Sequence, residues 1–371
     1  MAPLSPRLDV RGFVCAPVEP STPALSFSIA PGGCLALLGD RAVDLSRVLD
    51  TLAGHLPCVA GEVLLDGRDV AALPAGHRGM GLFSARDPLF AHLTVRRNLA
   101  FPLEARGMAR PAVVARVDAV LALLGLDGCA SRRPRALDPQ DEWRARLGRL
   151  LVFAPSVLLL DDPFAGLARG DRLAMRRLLA RVARAQGLTL LLATGDREDA
   201  LLLGDAIGVL SGRTLLQVGN AAELFDRPAC DRVATGFGDA NALTGRVAWV
   251  EDDLASVHLA SGARVEAMAG PGLADDMLCT LCVRPDRIAT LFPTGRAAAD
   301  DDGEDTLPAV LAGLHHMGDH IRLRFRLEDG QEVLVRRPPA QNLTGLVPGR
   351  TARLAWQPAH AVAFPFRGEM G

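Results

Sequence analysis

A chain of 371 residues carrying 41 basic and 43 acidic side chains is nearly electroneutral, and 49% of it is hydrophobic. That length predicts two or three domains with material for buried cores. The charge balance excludes a basic nucleic-acid footprint and a polybasic arm for anionic membranes. All 41 basic residues are arginine and lysine is absent. Schiff-base chemistry, a kinase-type lysine and the phosphate-gripping lysine of nucleotide-binding loops are thereby excluded. Met1–Arg7 leads into no apolar run resembling a signal peptide. No stretch of about 18 apolar residues is long enough to span a bilayer; Leu150–Leu160 is cut by Pro155 and ends in two aspartates. Seven scattered cysteines fit a reduced interior better than a disulfide framework. The expectation is a soluble cytoplasmic protein.

Over roughly the first 235 residues, short apolar runs alternate with helical patterns. Strands are predicted at Leu25–Ile29, Cys34–Gly39, Val63–Asp66, Gly79–Phe83, Val157–Asp161, Leu188–Ala193 and Ala206–Leu210. Helices are predicted at Ser46–Ala53, Ala112–Leu124, Glu142–Phe153, Asp171–Ala185 and Asp196–Leu203. The alternation indicates an α/β domain with a largely parallel sheet. The unbroken Val157–Leu160 suits a central strand covered on both faces.

Beyond about Asn241, short alternating segments lie between Gly, Asp and Pro turns. They are Gly245–Val250, Ala255–Leu259, Leu278–Val283, Ile321–Leu327 and Glu332–Arg336. They predict a small all-β barrel or a pair of barrel halves. Ala298–Asp305 reads as a solvated acidic linker, lacking the spaced ligands and closing Glu of a calcium loop.

Four segments in order carry a family resemblance: Cys34–Gly39 before a helix ending in Gly54; Gly61–Val70; Leu89–Val95; and Pro155–Pro163. Together they resemble the ATPase subunit of an ATP-binding-cassette (ABC) importer. The tail resembles the β domain appended to the spermidine/putrescine branch, notably at Val283–Arg287 and Met317–His320. The resemblance implies a P-loop NTPase-like ABC ATPase domain over residues 1–238, with a helical subdomain at about 84–148. A small all-β (OB-like, TOBE) C-terminal domain would span 239–371. It also implies ATP and magnesium as cofactors, a dimer, and a membrane permease or ATPase paralogue as partner. Peripheral placement on the cytoplasmic face of the inner membrane follows, without nucleic acid or direct bilayer insertion.

The positions that the resemblance makes catalytic are altered. The phosphate loop reads Gly39-Asp40-Arg41-Ala42-Val43-Asp44-Leu45-Ser46, with Asp44 at the inner glycine and Leu45 at the lysine. Asp44 is expected to cap a helix starting at Leu45, filling the anion role that a phosphate plays there. Arg41 is expected on the loop, away from the helix start. These changes together imply nucleotide binding weakened by about two to four orders of magnitude, or lost. The glutamine after the Gly79–Phe83 strand falls on Ala85. The signature falls on Leu137–Asp141, including Asp138, Pro139 and Gln140, and Pro139 removes a backbone donor. Ala168 replaces the aspartate beyond Walker B, and Gly195 the switch histidine; no base-stacking aromatic stands around Cys15–Pro17. Asp161 matches the magnesium-orienting aspartate. Asp162 stands at the catalytic glutamate, one methylene short; alternatively, both merely end a buried strand and cap the next turn.

Because each family site combines one subunit's phosphate loop with the other's signature, no pairing of this chain completes a site. Cys279 and Cys282 are expected as core residues on opposite strand faces, and His315, His316 and His320 in structural positions. Three readings stand. One is a pseudo-ATPase that acts as a structural or regulatory subunit on a permease or paralogue. The second is a working ATPase for import of polyamines or a similar solute. The third is a small-ligand sensor using the β domain.

Overall fold

The computed structural model describes residues 5–16, 23–292, 306–339 and 346–366. The acidic segment Ala298–Asp305 and Pro17 lie outside them. The chain divides into two compact units, Met1–Ala221 and Ala222–Gly371.

The first unit opens with β1 (Leu8–Cys15) and β2 (Leu25–Ile29), followed by β3 (Cys34–Gly39) and α1 (Ala42–Ala53). Next come β4 (Cys58–Leu65), β5 (Arg68–Asp69) and β6 (Met80–Ser84). Three helices follow: α2 (Val95–Glu104), α3 (Arg110–Leu124) and α4 (Pro139–Leu151). The unit then alternates β7 (Val157–Asp161), α5 (Arg169–Gln186), β8 (Thr189–Thr194), α6 (Arg197–Leu203) and β9 (Ala206–Ser211), ending with β10 (Thr214–Gly219).

Two sheets result. β2-β1-β4-β5 is antiparallel, and β10-β9-β3-β8-β7-β6 is parallel apart from its β10 edge. Every residue of β7 and β8 is buried, as expected of parallel strands covered on both faces. Register aligns Ser84 with Asp161 and Asp161 with Ala193, while Leu38 faces Thr194. The loops leaving β3, β6, β7 and β8 therefore share one edge, where open α/β sheets gather their ligands. α1 buries Leu45, Val48, Leu49 and Leu52 at helical spacing.

In the helical layer, Gly148 of α4 lets α2 and α3 approach. A Cβ there would lie 3.1 Å from Leu124, 3.2 Å from Leu99 and 3.4 Å from Val120.

Among its described residues, the second unit holds most of α7 (Ala221–Asp226), then α8 (Asp231–Gly236) and ten strands. The strands are β11 (Asn241–Glu251), β12 (Leu254–Leu259), β13 (Arg264–Ala269), β14 (Leu278–Val283) and β15 (Ala289–Leu291), then β16 (Leu307–His316), β17 (Ile321–Arg326), β18 (Glu332–Arg337), β19 (Thr351–Ala355) and β20 (Ala361–Pro365). β11-β12-β13-β20-β14 closes a barrel, and β15-β19-β16-β17-β18 forms an open sheet, rather than two barrel halves. Cys279 lies in the barrel core, and Cys282 packs on the other strand face with Ala234 and Phe364. Burial pushes their thiols up to about 11 and about 12.

A buried arginine, which local patterning does not reveal, closes the end of α1. Arg78 donates to the carbonyls of Thr51 and Leu52 at 2.7 and 3.0 Å. It also donates to those of Leu73 and Ala71 at 2.7 and 2.6 Å. Only 5% of it is exposed, so a cation meets the negative end of the helix out of water. Arg78→Met removes the donor from the Leu52, Leu73 and Ala71 carbonyls, Thr51 keeping the Gly54 N–H, and is expected to lower unfolding free energy by about 3 kcal/mol, read by urea denaturation.

Candidate functional site

The edge shared by β3, β6, β7 and β8 gathers most of the altered positions. α1 starts at Ala42, not at Ser46 or Leu45, with Arg41 at its N-cap and no side-chain cap bond. The earlier start turns the N–H groups of Asp44 and Leu45 onto the Arg41 carbonyl, at 3.0 and 3.3 Å. Those donors are thus spent inside the helix instead of facing an anion. Asp44 is therefore not the cap. It sits buried in the first turn, with Arg41 Nε 3.2 Å from its Oδ2. Arg41 itself stands at the helix start rather than out on the loop. Leu45 turns into the apolar core, where its Cδ2 would lie 3.4 Å from a Cβ on Gly39.

The role expected of Asp44 is found on α4. This helix begins at Pro139, three residues before the predicted Glu142, and Asp138 is its N-cap. Asp138 accepts a 2.8 Å bond from the Asp141 N–H, so the chain's own carboxylate occupies the positive end of the helix. Pro139 at the first helical position costs the helix nothing, since that N–H would be unpaired anyway. Gln140 is tied into the surface, donating to Asp171 at 2.7 Å and accepting from Arg144 at 3.0 Å.

Asp161 ends β7 with its side chain 10% exposed and is fully partnered. Ser46 Oγ donates to Oδ1 at 2.7 Å, Ser84 Oγ donates to Oδ2 at 3.0 Å, and Arg86 donates to Oδ2 at 3.0 Å. Ser46 and Asp161 are a pair suited to share a magnesium ion, which needs near-octahedral oxygen ligation. The guanidinium on Asp161 and the methyl of Ala85 leave no such ligation, so these residues do not fit the metal as they stand. Gly195 lies beside the first loop, where a Cβ would be 3.5 Å from the Gly39 carbonyl. It brings no titratable group. The neighbouring Asp196 caps α6 by accepting from the N–H groups of Glu198 and Asp199.

Asp162 follows β7 with φ +40°, a left-handed conformation that Asp and Asn tolerate best among side-chain-bearing residues. Burial raises its carboxyl above the ordinary range. Arg172 opposes the rise, and Asp199, Asp161 and Asp196 add to it. Asp199, fully buried, is held by Arg176 and by Arg172, the latter at 2.7 Å. Sequence reading missed this α5–α6 ion pair, Arg86 and Asp50.

In the second unit, a cavity of about 310 Å³ is lined by Phe225, Cys282, Arg284, Arg287 and His360 among others. Arg284 pairs with Asp286 at 2.9 Å and lies 3.7 Å from Asp226, so its charge is already met. Among the described residues, no group of three or more His, Cys, Asp or Glu is arranged to hold a metal, and no helix is long and apolar enough to cross a membrane.

Residues 23–165 match the family model described as ABC transporter, and residues 281–364 the one described as TOBE domain. The chain is 31% identical to the spermidine/putrescine import ATP-binding protein of Rubrobacter xylanophilus, covering 91% of this chain and 88% of that one. Identity is 34% to the spermidine/putrescine import ATP-binding protein 1 of Pseudomonas aeruginosa, covering 81% and 80%. It is 32% to the sulfate/thiosulfate import ATP-binding protein of Thermosynechococcus vestitus, covering 84% of each.

A raised carboxyl at Asp162 gives stability a definite pH dependence. The folded state disfavours the ionised form, so the penalty is full above the raised native value, shrinks as pH falls through it, and is gone below the ordinary 3.8. Asp162→Asn keeps the tolerated backbone conformation. It is expected to raise the thermal midpoint at neutral pH, with the gain vanishing in acid.

Proposed function

We propose, from the premise that this chain belongs to the family of ABC-importer ATP-binding subunits, that it is a non-hydrolysing member acting as a structural or regulatory subunit on a permease or an ATPase paralogue. The observation that carries this reading is the closed first turn of α1. The N–H groups of Asp44 and Leu45 are spent on the Arg41 carbonyl, and the side chain at the lysine position is buried in the core. An incoming polyphosphate would meet the Asp44 carboxylate, and one unmade charge-assisted hydrogen bond costs about 1.5–3 kcal/mol. ATP and magnesium binding are accordingly weak or absent in this reading.

The signature segment supports the same conclusion from the other half of a composite site. With Asp138 capping α4, a phosphate from a second subunit would face a carboxylate. The ATPase-like domain spans 1–238 with its helical subdomain at about 84–148, and the TOBE-like domain spans 239–371. The chain works as a dimer, at the cytoplasmic face of the inner membrane. The helical layer offers Phe101, Met108 and Val114 as exposed apolar side chains for a permease. Relatives of similar identity are named for spermidine/putrescine and for sulfate/thiosulfate, so similarity singles out no solute.

A second reading, an active ATPase energising import of polyamines or a similar solute, draws on the 2.7 Å bond between Ser46 and Asp161. Phosphate release and copurification separate the two. The non-hydrolysing reading expects magnesium-dependent release from the purified chain no higher than from an Asp161→Ala/Asp162→Ala control. It also expects a permease to copurify in detergent without nucleotide. Release well above the control establishes the active enzyme instead, and recovery of free chain alone removes the subunit role.

A further inference from the structure

Arg86 is delivered by a loop that α4 holds in place. Arg149 donates to the Asp87 and Pro88 carbonyls at 2.9 Å each and pairs with the Asp87 carboxylate at 2.7 Å. Arg146 donates to the Ser84 carbonyl and lies 4.7 Å over the Phe83 ring. From this loop the guanidinium reaches two carboxylates on different elements. Its two terminal nitrogens meet Asp50 Oδ2 and Oδ1 at 2.8 and 3.0 Å, and one of them also meets Asp161 Oδ2 at 3.0 Å. Nε donates to Ser84 Oγ at 3.2 Å.

The side chains of Asp50 and Asp161 are only 11% and 10% exposed, so their mutual repulsion is weakly screened. Something positive has to stand between them. In a nucleotide-loaded relative of this fold a metal ion would stand at the Ser46–Asp161 pair; here a planar fork with five donors satisfies both acids and a hydroxyl at once.

We propose that Arg86 is a built-in counter-ion that takes the place of the metal, tying α1 to the ends of β6 and β7 permanently and keeping the site closed to divalent cations. The inference rests on the non-hydrolysing reading for its functional meaning, but not for its test, which uses no nucleotide. A guanidinium stays charged at any physiological pH, so the tie does not come and go with a ligand.

Manganese binding to the full chain, read by electron paramagnetic resonance, tests it. Wild-type chain is expected to leave added Mn²⁺ free. Arg86→Gln is expected to bind it at least about tenfold more tightly, since two buried acids then lose the cation they share, and Asp161→Asn in that background is expected to abolish the gain. Mn²⁺ held by wild-type and released by Asp161→Asn overturns the proposal, as does an Arg86→Gln variant that binds no better than wild-type. Should Arg86→Gln fail to fold, adding Asp50→Asn is expected to recover the folded chain, because it removes the other member of the pair; continued failure counts against the proposal. Mn²⁺ retention would sink this inference alone, whereas phosphate release by wild-type would sink the functional reading.

Discussion

A carboxylate at the end of a fully covered parallel strand has to be neutralised, and the edge shared by β3, β6, β7 and β8 is organised around that need. Asp161 is carried there by β7, whose five buried residues are fixed between β6 and β8. Three donors meet its two oxygens, and each comes from a different part of the first unit: Ser46 from α1, Ser84 from the end of β6 and Arg86 from the loop beyond it. Because Arg86 also grips Asp50 one helical turn beyond Ser46, neutralising one acid fixes α1 against two strands.

Side chains of the protein also meet two helix starts of the first unit. The family fold offers helix N-termini to anions and a pair of oxygens to a metal. In this ABC-type ATPase domain with its C-terminal TOBE domain, the start of α4 is capped by Asp138. At the start of α1, Arg41 and Asp44 pair with each other. Of the oxygen pair, Asp161 accepts from Arg86 and from Ser46 itself. Burying an ionised side chain without a partner costs several kcal/mol, so each buried acid needs its own counter-charge nearby. Asp44 and Asp161 have theirs in Arg41 and Arg86, whereas the exposed Asp138 is held by a backbone N–H.

Much of this architecture is legible in the sequence, because it depends on period and composition. Val157–Asp161 and Leu278–Val283 occur as strands with the predicted bounds, since unbroken or alternating apolar runs dictate them. β1 is not legible: Gly12 and two register shifts against β4 break its alternation. The start of α1 is misread for a local reason. Arg41 is not a capping residue, and Asp44 is a strong one, so propensity points three residues too late. Asp50 and Arg86 are 36 residues apart and look separately like solvent-facing charges. The available signal was helical spacing, which puts Asp50 on the same face as Ser46. Pairing it with Arg86 required the sheet order.

On the proposed reading, internal charges have closed the nucleotide site. Isothermal titration of the purified full chain with magnesium-ATP, up to millimolar nucleotide, tests it most directly. The closed first turn of α1 and the Arg86 tie predict no detectable heat of binding. Saturable binding in the micromolar range would contradict them.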